Sequence, residues 1–130
     1  MAAFGKSSLE KLAQLDPRLQ EVLNEAIKVV DFTILCGTRS KEDQEKAFNE
    51  GKSKVHYPNS KHNSSPSMAV DVAPYPIDWD NAKGFCYLAG IIMGIAASKG
   101  IKLRWGGDFN RDYIVGNDKF NDLPHIEIDE

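Results

Sequence analysis

The stretch Asn81 to Gly100, "NAKGFCYLAGIIMGIAASKG", constrains the fold more than any other, because it has helical length and is apolar on nearly all sides. Its apolar centre, Phe85 to Ala97, contains two glycines and falls short of the roughly 20 residues that span a bilayer. Such a helix belongs at the centre of a protein core, and the remaining chain has to cover it. Covering elements are present on both sides. "SSLEKLAQL" places Ser7 three residues before Glu10, the spacing of a capping box, with Leu9, Leu12 and Leu15 on one helical face. "DPRLQEVLNEAIKVV" predicts a second helix with Asp16 as N-cap, Pro17 at the first helical position, and a buried stripe of Leu19, Val22, Leu23, Ala26, Ile27 and Val30. Ser40 caps a third helix, "KEDQEKAFNE", which Gly51 ends. "DFTILCG", "MAVDVAP", "IKLRWGG" and "HIEIDE" read as short strands. The connections are too irregular for repeated βαβ units, so the expected class is α+β, and 130 residues without an internal repeat suit one domain spanning 1–130.

Charge narrows the partners. A formal net charge of −3 supplies no broad basic field, which argues against nucleic acid or an anionic membrane. A composition 42% hydrophobic and 27% charged is that of an ordinary soluble domain. "MAAFGKSSLEKLAQL" lacks the pattern of a signal peptide, so synthesis and initial residence in a cytosol are expected. Cys36 and Cys86 lie fifty positions apart in apolar runs, without the spacing of a zinc knuckle or redox pair, and read as buried free thiols, with a disulfide as the alternative.

Two polar loops, 51–67 and 108–124, bring His62, Asp71, Asp122 and His125 to the ends of strands, where a sheet can hold side chains in place. Two histidines and one aspartate would satisfy a catalytic zinc, which takes three protein ligands and leaves a position for water. Such a site also needs a carboxylate that is not a ligand, to move protons; Asp122, three residues before His125, is placed for it. Taken singly, each histidine reads first as a hydrogen-bonded structural residue beside a strand, and as a ligand only second. Asp78 and Asp80 read as caps before the long helix. Asp108, Asn110 and Asp112 alternate as in the first half of a calcium loop, but Tyr113 and Lys119 break the match at its sixth and twelfth positions. A polar loop of Asx turns is the reading there, with a Ca2+ site as the alternative.

Taken together these residues form a pattern. "SKHNSSPSMAVD" resembles the Ser-x-His…Ala-x-Asp signature of the VanY-like zinc peptidases, which include D-alanyl-D-alanine carboxypeptidases and L-alanyl-D-glutamate endopeptidases. "WGGDF" followed by "DLPHIEI" is similar to the second signature of that family, and "GTRSKEDQ" with "GKSK" to its upstream arginine element. The resemblance covers roughly residues 17 to 128. It implies a Hedgehog/D,D-peptidase-like domain with an antiparallel sheet flanked by helices. It makes His62, Asp71 and His125 the ligands of one Zn2+ and Asp122 the general base and acid. Arg39 becomes the group facing the substrate carboxylate or oxyanion, and Ser60 a residue that orients a ligand or touches substrate. His62 and Asp71 stand nine positions apart, two more than in the common signature; a loop absorbs that insertion cheaply, and His56 is the rival ligand.

The function implied is that of a zinc-dependent peptidoglycan hydrolase, a phage endolysin cutting the stem peptide at its L-alanyl-D-glutamate bond. A holin would give it passage from the host cytoplasm to the periplasm, and it would act as a monomer without membrane insertion. A D-alanyl-D-alanine carboxypeptidase or dipeptidase is the alternative enzyme. A non-catalytic wall-binding or structural zinc module is the alternative outside enzymes.

Overall fold

The second helix shows how closely local chemistry dictates local structure. In this computed structural model, which describes residues 2–115 and 122–130, the Asp16 side chain accepts the backbone N–H of Arg18 and Pro17 stands at the first helical position. The elements run α1 (Lys6–Leu12), α2 (Pro17–Ala26), β1 (Phe32–Cys36), α3 (Lys41–Asn49), a 3-10 turn (Lys61–Asn63), β2 (Ala69–Pro74), α4 (Ala82–Ser98), β3 (Leu103–Trp105) and β4 (His125–Ile128). The strands form one antiparallel sheet in the order β1-β2-β4-β3, and the class is α+β as expected.

The sheet has two unlike faces because side chains alternate along each strand. Val70 and Val72 of β2, Ile126 and Ile128 of β4, and Leu103 and Trp105 of β3 join the core. Against them packs α4, which α2 covers in turn, while α1 packs on β1. Leu19, Val22 and Leu23 of α2 are fully buried, as are Leu88 and Ile92 of α4. Each such side chain contributes on the order of 1.5–3 kcal/mol. The residues between them, Asp71 and His125 among others, project from the opposite face.

Three local expectations are corrected. The Ser7–Glu10 capping box does not form: α1 begins after Gly5 without a side-chain cap, and the Ser7 hydroxyl accepts from Lys11 Nζ instead. Its neighbour Ser8 is the buried serine, accepting the Ile34 N–H and tying α1 to β1. The helix α4 buries one stripe, Phe85, Leu88, Ala89, Ile92 and Ala96, and leaves Tyr87 exposed, because the sheet and α2 cover only one side of it. Its cap is Asn81, whose side chain accepts the Gly84 N–H; Asp78 makes an Asx turn with Asp80. No helix among the described residues is long and apolar enough to cross a membrane.

Arg18 links the start of α2 to the last residue, with Nε 3.0 Å from Asp16 and Nη1 3.1 Å from Glu130. The guanidinium, bonded to both, holds these carboxyls below their usual range. A depressed folded pKa stabilises above the unfolded carboxylate range, and that stabilisation is lost as pH falls through the folded values. The pairs are solvent-screened, so Arg18→Met should lower the urea midpoint at neutral pH by only a few tenths of a molar, roughly. The deficit should be smaller in acid, below the usual carboxylate range, than at neutral pH. An equal deficit at both pH values would exclude ion pairing as its origin.

Candidate metal centre and cleft

The site begins as a row across the sheet. Asp71 pairs with His125 on β4 and, through a β-bulge after Ile34, with Cys36 on β1. His62 arrives from outside the sheet, on the 3-10 turn that Ser60 and Asn63 cap reciprocally. Its Nδ1 lies 2.7 Å from the Gly37 carbonyl, which fixes the ring with Nε2 3.2 Å from Asp71 Oδ1. His125 Nδ1 approaches the same oxygen at 3.3 Å, and its Nε2 is 2.8 Å from Glu127 Oε1. Two imidazoles from distant parts of the chain thus converge on one carboxylate oxygen.

Arg39 and Asp122 complete the group. Arg39 Nη2 is 3.4 Å from Asp71 Oδ2, Nη1 donates to the buried Gln44, and the Arg39 N–H donates to the His62 carbonyl. Asp122 presents a carboxylate within 4.8 Å of ligand atoms of Asp71 and His125. Its backbone is held by Gly106, whose carbonyl accepts the Asp122 N–H and whose N–H donates to the His125 carbonyl. A Cβ on Gly106 would stand 1.9 Å from the Asp122 carbonyl oxygen, so only glycine allows this approach.

Electrostatics follow from burial and partners. Burial alone would lower the pKa of His62, but its hydrogen bonds and the Asp71 charge raise it to about 10. His125 is raised in the same way by Asp71 and Glu127. Asp71 is held far below the carboxylate range by its two histidine hydrogen bonds, against the opposing effect of burial. Asp122 moves the other way: burial raises its pKa, and the negative Asp71 beside it adds to the effect.

That arrangement fits a metal. Cys36, His62 and Asp71 form one group whose ligand atoms lie close enough to hold a single ion, and Asp71, Asp122 and His125 form another. Both histidines have their remaining nitrogen anchored, one by a backbone carbonyl and one by a carboxylate, as metal-binding histidines usually do. Around the group lies a cleft of about 590 Å3 lined by Arg39, Lys52, Lys54, Lys61 and Arg104. A second cavity of about 490 Å3 shares Arg39, Lys52 and Asp122 with it and extends to the exposed Trp79.

The residues singled out along the chain therefore meet, with exceptions. Ser60 lines the cleft and its hydroxyl accepts the His62 N–H. His56 stands apart, paired with Glu45 at 2.8 Å and stacked on Phe48. Cys36 and Cys86 are free but half-buried rather than buried. Cys36 also stands beside the site, its Sγ 3.9 Å from His62 Nδ1, where the expectation kept both thiols apart from it. The bulge that turns it there leaves no mark in the sequence. Glu127 also went unassigned, although the alternation of "HIEI" places it on the face of His125. In the 108–112 loop, Asp108, Asn110 and Asp112 accept backbone N–H groups in Asx turns; Lys119 lies outside the described residues.

The chain matches the family described as phage L-alanyl-D-glutamate peptidase over residues 1–128. It is 35% identical over 112 residues to the L-alanyl-D-glutamate peptidase of Escherichia phage T5, covering 82% of this chain and 81% of that protein. The fold is similar to the crystal structure of the Serratia marcescens L-Ala D-Glu endopeptidase ChiX, with a TM-score of 0.77, 26% identity, and coverage of 97% of this chain and 89% of that one.

Proposed function

This chain belongs to the phage L-alanyl-D-glutamate peptidase family, and we propose that it hydrolyses that bond in the peptidoglycan stem peptide with one zinc ion held by His62, Asp71 and His125. The observation that carries the reading is the convergence of both imidazoles on Asp71 Oδ1 with a second carboxylate, Asp122, alongside. When bound, zinc supplies a water of lowered pKa and a Lewis acid for the peptide carbonyl.

The chain's own groups do the rest. Asp122 takes the proton of the attacking water and delivers it to the leaving amine nitrogen. Its raised pKa suits the second task, since it can hold a proton closer to neutrality than an exposed aspartate. Arg39, a cation that forks onto oxygens, faces the carbonyl oxygen or a substrate carboxylate. The basic lining of the cleft, Lys52 included, suits the carboxylates of an acidic peptide such as one beginning at D-glutamate. Ser60 acts through His62, whose backbone it caps. Cys36 is a neighbour rather than a ligand, because it faces the His62 nitrogen already bonded to Gly37.

The proposal takes residues 1–130 as one catalytic domain that works as a monomer, since the groups named come from a single chain. It includes no second cation, because the Asp108, Asn110 and Asp112 oxygens are engaged with backbone N–H groups. Action in the periplasm after holin-mediated release from the host cytoplasm rests on the phage origin of the family.

Mass spectrometry of fragments released from purified Gram-negative peptidoglycan tests the reading, with chelator alone and with zinc restored. Peptides beginning at D-glutamate are expected, lost with chelator and regained with zinc. Loss of D-alanine alone would make the enzyme a carboxypeptidase, peptides beginning at L-alanine an amidase. No zinc-dependent product from folded protein would favour a binding module.

A further inference from the structure

We infer that Glu127 is a positioning residue for the metal centre, clamping both histidine-bearing segments; this rests on the zinc reading above. Glu127 follows His125 by two residues in β4, shares its face of the sheet, and is 6% exposed. One oxygen, Oε1, accepts from His125 Nε2 at 2.8 Å. The other, Oε2, accepts from Arg104 Nη2 at 2.8 Å and forms an ion pair with Lys61 Nζ 3.2 Å away.

Each contact has a separate consequence. An imidazole offers a metal one nitrogen only when the proton sits on the other. Donation of His125 Nε2–H to Glu127 fixes a proton on that nitrogen and leaves Nδ1, on the Asp71 side, as the nitrogen available to a metal. Lys61 immediately precedes His62 and also donates to the Ile128 carbonyl, so the same carboxylate ties the His62 turn to β4. Arg104 is the cross-strand partner of Glu127 on β3, and with Lys61 it supplies the positive charge that a buried carboxylate requires. A purely structural ion pair would need Arg104 or Lys61. It would not need the imidazole.

Zinc affinity of the full chain, measured by competition with a chromophoric chelator, tests the role. Glu127→Ala should weaken zinc binding by about 10- to 100-fold. Glu127→Gln keeps an acceptor for His125 and should retain most of the affinity. The absorption spectrum of the cobalt-substituted protein should change in the alanine variant and stay close to wild type in the glutamine variant. Lys61→Met, which leaves the His125 contact in place, should weaken zinc binding by a smaller factor, and it supplies the readout if the alanine variant does not fold. A lowered unfolding midpoint of the metal-free variants with wild-type zinc affinity would overturn the proposal and leave Glu127 a structural ion-pair partner. Wild-type protein that takes up no zinc would overturn the metal reading itself, and this role with it.

Discussion

Asp122→Ala should lower the rate of stem-peptide cleavage by about 10²- to 10⁴-fold while leaving zinc bound, the range expected when a positioned proton carrier is lost. The expectation follows from where the side chain stands. Asp71 accepts both imidazoles directly, whereas Asp122 stands alongside Asp71 and His125 as the neighbouring carboxylate. The fold should survive, because the Gly106 contacts that hold this turn are made by the Asp122 backbone. Removing a half-buried carboxylate whose pKa is raised also removes a group that desolvation disfavours in its charged form. Product release followed by chromatography, alongside zinc stoichiometry, checks both halves. Full activity would remove Asp122 from the mechanism. Loss of zinc would make it a ligand.

His125→Ala should reduce bound zinc from about one per chain to nearly none and abolish turnover, since a three-ligand site does not hold its ion with two. The same variant separates the two metal-binding groups that share Asp71. If Cys36, His62 and Asp71 were the ligands, His125→Ala would keep its zinc and Cys36→Ser would lose it. On the present assignment Cys36→Ser keeps it. Circular dichroism checks that the His125 variant folds, as expected with Glu127 keeping Arg104 and Lys61 as partners.

Much of this protein was legible along the chain because the relevant physics is local. Asp16 before Pro17, and Ser40 three residues before the Asp43 N–H it accepts, act within one turn of backbone, and the helices begin where these residues place them. The strand "HIEI" alternates, so His125 and Glu127 had to share a face whatever the sheet around them. The ligand candidates were legible for another reason: only three histidines occur, and two stand in motifs shared with a known family.

What could not be read there depends on partners far away in sequence. The Ser7 cap failed because α1 begins two residues earlier, at Lys6 after Gly5, and Ser8 went to the Ile34 N–H on a strand 26 positions distant. The long apolar helix read as buried all round, yet the sheet and α2 cover one stripe of it. Cys36 came into the site through a bulge that shifts β1 against β2, a matter of strand register that residue types do not encode. The meeting of His62, Asp71 and His125 is likewise a product of register. Asp71 and His125 are 54 positions apart and become neighbours because β2 and β4 pair in one alignment, in which a slip of a single residue would turn either side chain into the core.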